Sequence, residues 1–298
     1  MNVTLDREEA DARLLDRYME VLDLAQLVRM AREETQGALS GLFLPAVDER
    51  YLRSKVRVML IGKEPRAWGK SLHRLADEVP TPTLLRDYVR EQMLRHRAFA
   101  QRAHSTSKFR QFHTQLSAQL GEAPEAVVWG NLLCASLDKG SPVGASTFPQ
   151  LAELSRALLA AQLEVLAPDL VVFASGYRYD QFIKQLLPQY RTLPGLVPKQ
   201  FWPFAAGGFT ACRIIHPQRH TREYVRFVLG AVRVQVEDLR SGRTSTLAPA
   251  SPTVSLDSLL LGPQARAAAS DAVRQAVAKA DAAGLPPAYE PDFSTGRS

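Results

Sequence analysis

Three short polar clusters stand out in this sequence, because each follows an apolar run and each carries a side chain able to handle charge or a proton. The first is Gly62-Lys63-Glu64-Pro65, where a Gly-x-acid-Pro turn sets a carboxylate at the end of VRVMLIG on a backbone stiffened by proline. The second is Trp129-Gly130-Asn131, which ends AVVWGN with an amide, and the third is His216-Pro217, which ends FTACRIIHP with an imidazole. Together a carboxylate, an amide and an imidazole can support charge, read a hydrogen-bonding edge and move a proton. Taken singly, each also has an ordinary reading: Glu64 as a turn or capping acid, Asn131 as a turn residue or cap, His216 as a packed core histidine. The set, in that order, is what points to chemistry.

The runs that carry these clusters read as strands. VRVMLIG (56–62), AVVWGN (126–131), DLVVFASG (169–176) and FTACRIIHP (209–217) are continuously apolar rather than alternating, as strands buried on both faces are. Between them lie segments with apolar residues at helical spacing. These are the Arg-rich stretch from Pro82 to about Leu120, FPQLAELSRALLAAQLEVLAP, which stops at Pro168, and TREYVRFVLGAVRVQVEDL after His216. This alternation predicts an α/β fold with a mostly parallel four-stranded central sheet covered on both faces, and such sheets bind ligands at the carboxyl ends of their strands. Residues 1–50 read as an N-terminal helical cap and residues 51–240 as the α/β body. Residues 241–298 read as a Pro/Ser/Thr linker, an Ala-rich helix and a loose tail.

Composition narrows the classes. The 298 residues are 46% hydrophobic and 23% charged, ordinary for a soluble globular chain, and no apolar run approaches the length a membrane span needs. The acidic start MNVTLDREEADARLL is unlike a signal peptide, so a cytoplasmic protein with no membrane partner, a monomer, is expected. Cys134 and Cys212 are too few for a disulfide scaffold, a four-cysteine zinc site or an iron–sulfur cluster. His216 and His220 are four apart without an intervening metalloprotease-type acid, so neither metal nor cofactor is expected. Walker, dinucleotide-fingerprint and nucleophile-elbow motifs are absent, which counts against nucleotide hydrolases, dinucleotide oxidoreductases and α/β-hydrolases.

The charge is uneven: residues 1–50 carry 6 basic against 11 acidic side chains, residues 51–236 carry 25 against 13. A basic body suits a polyanion such as nucleic acid, or is simply a solvated basic surface. Within it, residues 86–110 hold seven Lys/Arg against Asp87 and Glu91 and either line a nucleic-acid path or form a solvated helix face. Tyr177 and Tyr179, after Ser175-Gly176, either flank a ligand or pack on the surface.

In the order of its motifs the chain resembles the uracil-DNA glycosylase superfamily, over roughly residues 55–230. Gly62-Lys63-Glu64-Pro65 is similar to that family's first motif, Asn131 in WGNLL to its base-reading amide, and His216-Pro217-Gln218 to its late His-Pro-Ser motif. Glu64 stands where the single-domain uracil enzymes have Asp, Lys63 where they have Gln, and Gln218 where they have Ser. The resemblance implies a three-layer α/β/α fold and a monofunctional DNA glycosylase. Such an enzyme hydrolyses the N-glycosidic bond of a flipped pyrimidine, uracil or a modified base, including hypermodified bases of phage DNA, and leaves an abasic site. It implies that Glu64 and His216 are catalytic, that Asn131, Gly62, Lys63 and an aromatic wall at Trp68 hold the base, and that Arg219, His220 and Arg222 contact single- or double-stranded DNA. Base excision in DNA repair or phage defence would be the setting. Two rival classes remain open: a non-catalytic nucleic-acid-binding module on the same fold, and an enzyme of nucleosides or anionic metabolites.

Overall fold

The computed structural model describes residues 6–79, 81, 83–101 and 107–242. Its sheet has six strands, β1 (Val58–Gly62), β2 (Val127–Asn131), β3 (Leu170–Phe173), β4 (Arg191–Thr192), β5 (Phe201–Ala206) and β6 (Phe209–Ile214), in the order β2-β1-β3-β6-β5-β4. The four apolar runs of the sequence are the four parallel neighbours β2, β1, β3 and β6. The expectation of four strands is therefore corrected to a mixed six-stranded sheet, with β5 antiparallel to β6 and β4 antiparallel to β5. Of the two added strands, β5 carries Pro203, which lacks a donor and argues against a strand in any sequence reading; in the fold it sits opposite Cys212 while its carbonyl accepts from Leu193.

Every residue of β1, β3 and β6 is buried, so that both faces of these strands are covered by the rest of the chain. Alternation sends Met59, Ile61, Val128, Val171, Phe173 and Ala211 into one core shared with α1 (Arg7–Val21), α2 (Leu24–Glu33), α5 (Leu84–Ala100) and α7 (Phe148–Leu166). Their strand neighbours Val58, Leu60, Leu170, Val172 and Cys212 are equally buried. The remaining helices are α3 (Glu49–Arg53), α4 (Leu72–Ala76), α6 (Lys108–Gln119), α8 (Asp180–Leu186) and α9 (Arg222–Arg240), of which α6 packs on α9. Helix starts follow their caps: Asp6 accepts from the Glu9 amide, Asp23 from those of Ala25 and Gln26, and Thr221 from that of Tyr224. Helix α7 ends on Ala167 in the left-handed region, just before Pro168.

The acidic N-terminal segment and the basic stretch that follows it in sequence meet in space. Helix α1 packs on α5 and α7; Arg86 pairs with Asp16 at 2.9 Å and Arg97 with Asp11. Arg90 and Arg95 pair with Asp87 and Glu91 along α5 itself. Arg110 is buried and donates to the carbonyls of Phe99 and Ala100 at the end of α5. The described arginines of residues 86–110 are thus largely spent on holding helices, and Lys108 is the one described cation of this stretch that reaches the cleft described below. Pro82, residues 102–106 and nearly all of the C-terminal segment 241–298 lie outside the described residues.

Candidate active site

The parallel pairing of β1 with β2 places Gly62 opposite Asn131, and it continues past the strand ends through Leu132 N to Gly62 O and Leu133 N to Lys63 O. Glu64 and Asn131 therefore leave the sheet side by side. His216 arrives from β6, two positions across the sheet, and the turn after β3 is bound to that strand through Gly176 N to Ile214 O. All three side chains line one cleft of about 770 Å³, a size that suits a small-molecule or nucleotide fragment.

Gly62 is required by this convergence. A Cβ there would lie 2.5 Å from Asn131 Oδ1 and 3.0 Å from the Phe109 ring. The following loop folds back through Ala67 and Gly69, both at positive φ, and is tied down by Gly41 N to Trp68 O and by Ala67 N to Ser136 Oγ. Gly41 approaches so closely that a Cβ would meet the Lys70 carbonyl at 2.4 Å.

Glu64 is largely buried, its side chain 11% exposed, and each of its oxygens faces a donor. Lys63 Nζ lies 3.6 Å from Oε1, and the Tyr179 hydroxyl donates to Oε2 at 3.1 Å. Asn131 is 6% exposed; its Oδ1 accepts from Trp129 Nε1 at 3.4 Å, which orients the amide, and its Nδ2 is buried with no acceptor. Trp129 and Asn131, two apart on β2, share a face of the strand, and so the contact is local. A buried donor without a partner is costly in a free protein and is a natural point for a ligand acceptor to relieve that cost.

His216 starts a short 3-10 turn with its Nδ1 accepting from Gln218 N, so the neutral ring carries its proton on Nε2. Burial, and after it the charges of Lys63, His220 and Arg219, lowers its pKa to about 4. The imidazole is neutral near pH 7, a hydrogen-bond donor rather than a cation.

Trp68 is 8% exposed, and its indole packs against Phe43 at 4.6 Å and Phe99 at 5.3 Å, with Nε1 buried and unpartnered. It is at once a core tryptophan and part of the cleft wall. The wall is a larger aromatic group than the sequence suggested: Phe43, Phe99, Phe109 and Trp129 also line it, and Phe109 stacks on Trp129 at 4.6 Å. The cations Lys63, Arg66, Lys108 and Lys139 surround the single carboxylate of Glu64. Phe43, Phe99 and Phe109 come from distant segments with no local signal; Lys139, Gly140 and Ser141 were not singled out in the sequence either, although a polar glycine-containing loop downstream of β2 is a signal that could have found them.

Arg219 and Arg222 are exposed just beyond the cleft, but His220 is turned inward. Its Nε2 is 2.6 Å from the Ile215 carbonyl and its ring packs edge-on against Phe112 and against Tyr224. Burial lowers its pKa, which disfavours the cation. Cys134 and Cys212 are buried thiols. Among the described residues there is no cluster of His, Cys, Asp and Glu able to hold a metal ion, and no helix long and apolar enough to cross a membrane. Comparison of the chain with protein-family models and with curated proteins finds no match in either.

Proposed function

We propose that this protein is a hydrolytic glycosylase of the uracil-DNA glycosylase type, acting on a pyrimidine turned out of a DNA strand. The observation that carries this reading is the convergence of Glu64, Asn131 and His216, from the carboxyl ends of β1, β2 and β6, on one aromatic-walled basic cleft.

In hydrolysis, the bond from the sugar C1′ to the base nitrogen breaks with its electron pair leaving on the base. A water oxygen then bonds C1′, and the water gives up a proton. The sugar passes through an oxocarbenium-like state, so a fixed carboxylate beneath it stabilises the developing positive charge. Glu64, with a donor at each oxygen, is suited to hold a negative charge in place there and to orient the water. The neutral His216 is suited to donate from Nε2 to an oxygen of the departing base, where negative charge grows. The unpartnered Nδ2 of Asn131 would take an acceptor on the base edge, and Phe109 or Trp68 would cover its face. Lys63, Arg66, Lys108 and Lys139, with Arg219 and Arg222 outside, give the strand's phosphates a positive track.

The test is an abasic-site assay in EDTA with single- and double-stranded DNA containing normal, deaminated or hypermodified pyrimidines. Wild type is expected to excise one base, with Glu64→Gln and His216→Ala each slower by at least about a hundredfold at unchanged melting temperature. Excision by either variant at the wild-type rate, or no abasic product from any substrate, would refute the assignment.

A further inference from the structure

Tyr179 belongs to none of the three motifs, yet it makes the one hydroxyl contact to Glu64 that the described residues show. Its position is built with unusual rigidity. It ends the 3-10 turn Tyr177–Tyr179, whose entry is Gly176 at φ +81, and Tyr179 N closes that turn on Gly176 O. The next residue, Asp180, takes a bidentate contact from Arg213 of β6, Nε to Oδ1 at 2.7 Å and Nη2 to Oδ2 at 2.9 Å. Arg213 is 2% exposed, and an ion pair at that depth is retained at a desolvation cost that a hydrophobic pair would avoid. Its effect is geometric: it clamps the start of α8 to the strand that delivers His216 three residues later.

We propose that Tyr179 is a positioning residue whose hydroxyl fixes the direction of the Glu64 carboxylate, and that the Arg213–Asp180 pair exists to hold that hydroxyl in place. The role of Glu64 itself rests on the glycosylase reading above; the Tyr179–Glu64 coupling does not. The Tyr179 hydroxyl bonds one oxygen while the Lys63 ammonium faces the other at 3.6 Å, which favours one orientation of a glutamate with an extra methylene to order. Burial, and after it the Glu64 charge, raises the Tyr179 phenol to about 12, so it remains a donor throughout the physiological range.

Two measurements on the full chain decide this separately from the reaction. With 3-fluorotyrosine placed at position 179, fluorine NMR reads the phenol titration. Glu64→Gln is expected to lower its midpoint by on the order of one unit, because the negative charge beside the hydroxyl is lost. An unmoved midpoint means the contact does not exist and overturns the proposal, whether or not the protein cuts DNA. On the substrate found active, Tyr179→Phe is expected to slow single-turnover excision by about 10- to 100-fold with DNA affinity and melting temperature unchanged, and to add no loss in a Glu64→Gln background. A full additive loss in that background, or wild-type excision by Tyr179→Phe, also overturns it. Absence of excision by wild type refutes the glycosylase reading alone and leaves the titration to decide the coupling.

Discussion

At the residue scale the cleft is defined by which groups carry charge and which do not. His216 is the sharpest case, because the two ways in which an imidazole could serve a leaving base, as cation or as neutral donor, differ in pH dependence. Burial and the neighbouring cations hold it neutral down to about pH 4, and the Gln218 amide on Nδ1 leaves the proton on Nε2. The excision rate is therefore expected to show no inflection between pH 6 and 7.5 and to fall only as the pH approaches 4, measured under single-turnover conditions. An inflection at the ordinary histidine value near 6.5 would show that the cation is the working form. The neighbouring histidines illustrate why residue type alone does not predict role. His96 accepts from Ala46 N and meets the Trp129 carbonyl at 2.9 Å, and His113 meets the Val127 carbonyl, so both are spent on the fold.

At the scale of elements, the site depends on the β1–β2 register and on the absence of a side chain at Gly62. Gly62→Ala would push a methyl group into Asn131 Oδ1 and the Phe109 ring, and neither can retreat: the amide is tied to Trp129 and Phe109 is stacked on the same indole. The variant is expected to lose about 1–3 kcal/mol of stability by urea denaturation and base binding along with it, whereas Gly144→Ala, which lies outside the cleft lining and whose Cβ would meet nothing within 4 Å, changes neither. Equal behaviour of the two variants would mean that the Gly62 contact is relieved by the loop. Much of this level was legible in the sequence. The four parallel strands and the three motifs at their ends follow from continuous apolar runs closed by Gly, Pro or polar residues. Strand β5, between β6 and the edge strand β4, was hidden by Pro203, because a residue without an amide donor reads as a break unless the partner strand is already in place.

For the whole molecule, the distribution of histidines sets an acid limit. His96, His113, His216 and His220 all have pKa values lowered by burial, with His96 and His216 brought to about 4. The folded state resists their protonation while the unfolded chain accepts it, so their contribution to stability is complete above about pH 6.5 and is lost as pH falls towards 4. For His96, 3% exposed, the linkage amounts to roughly 3 kcal/mol across that window. The melting temperature is expected to be level near neutrality and to drop steeply below about pH 6. A flat profile down to pH 5 would contradict these burial-driven shifts. Glu34 titrates lower still: burial pushes it up, but donors from Gln36, Thr147 and Ser146 outweigh this and bring it to about 2, so it holds the turn that leads into α7 throughout that range.

The residues nearest one another in sequence determined their own local structure, and that is why the strands, the helix stops and the three polar clusters could be read directly. Periodicity, proline and capping act over a few residues and need no partner. The cleft's aromatic wall could not be read this way, because Phe43, Phe99 and Phe109 meet Trp68 and Trp129 only when separate segments converge at one end of the sheet. The same holds for charge. The sequence presents an Arg-rich stretch and an acidic N-terminus as separate features, and only tertiary packing pairs Arg86 with Asp16 and Arg97 with Asp11 while leaving Lys63, Arg66, Lys108 and Lys139 around the cleft. Tyr179 shows the difference most plainly, as a residue that sequence places after a turn and that tertiary structure places on Glu64, 115 positions away. Coulombic and hydrogen-bond interactions depend on distance in space, and that distance is set by the packing of the whole chain.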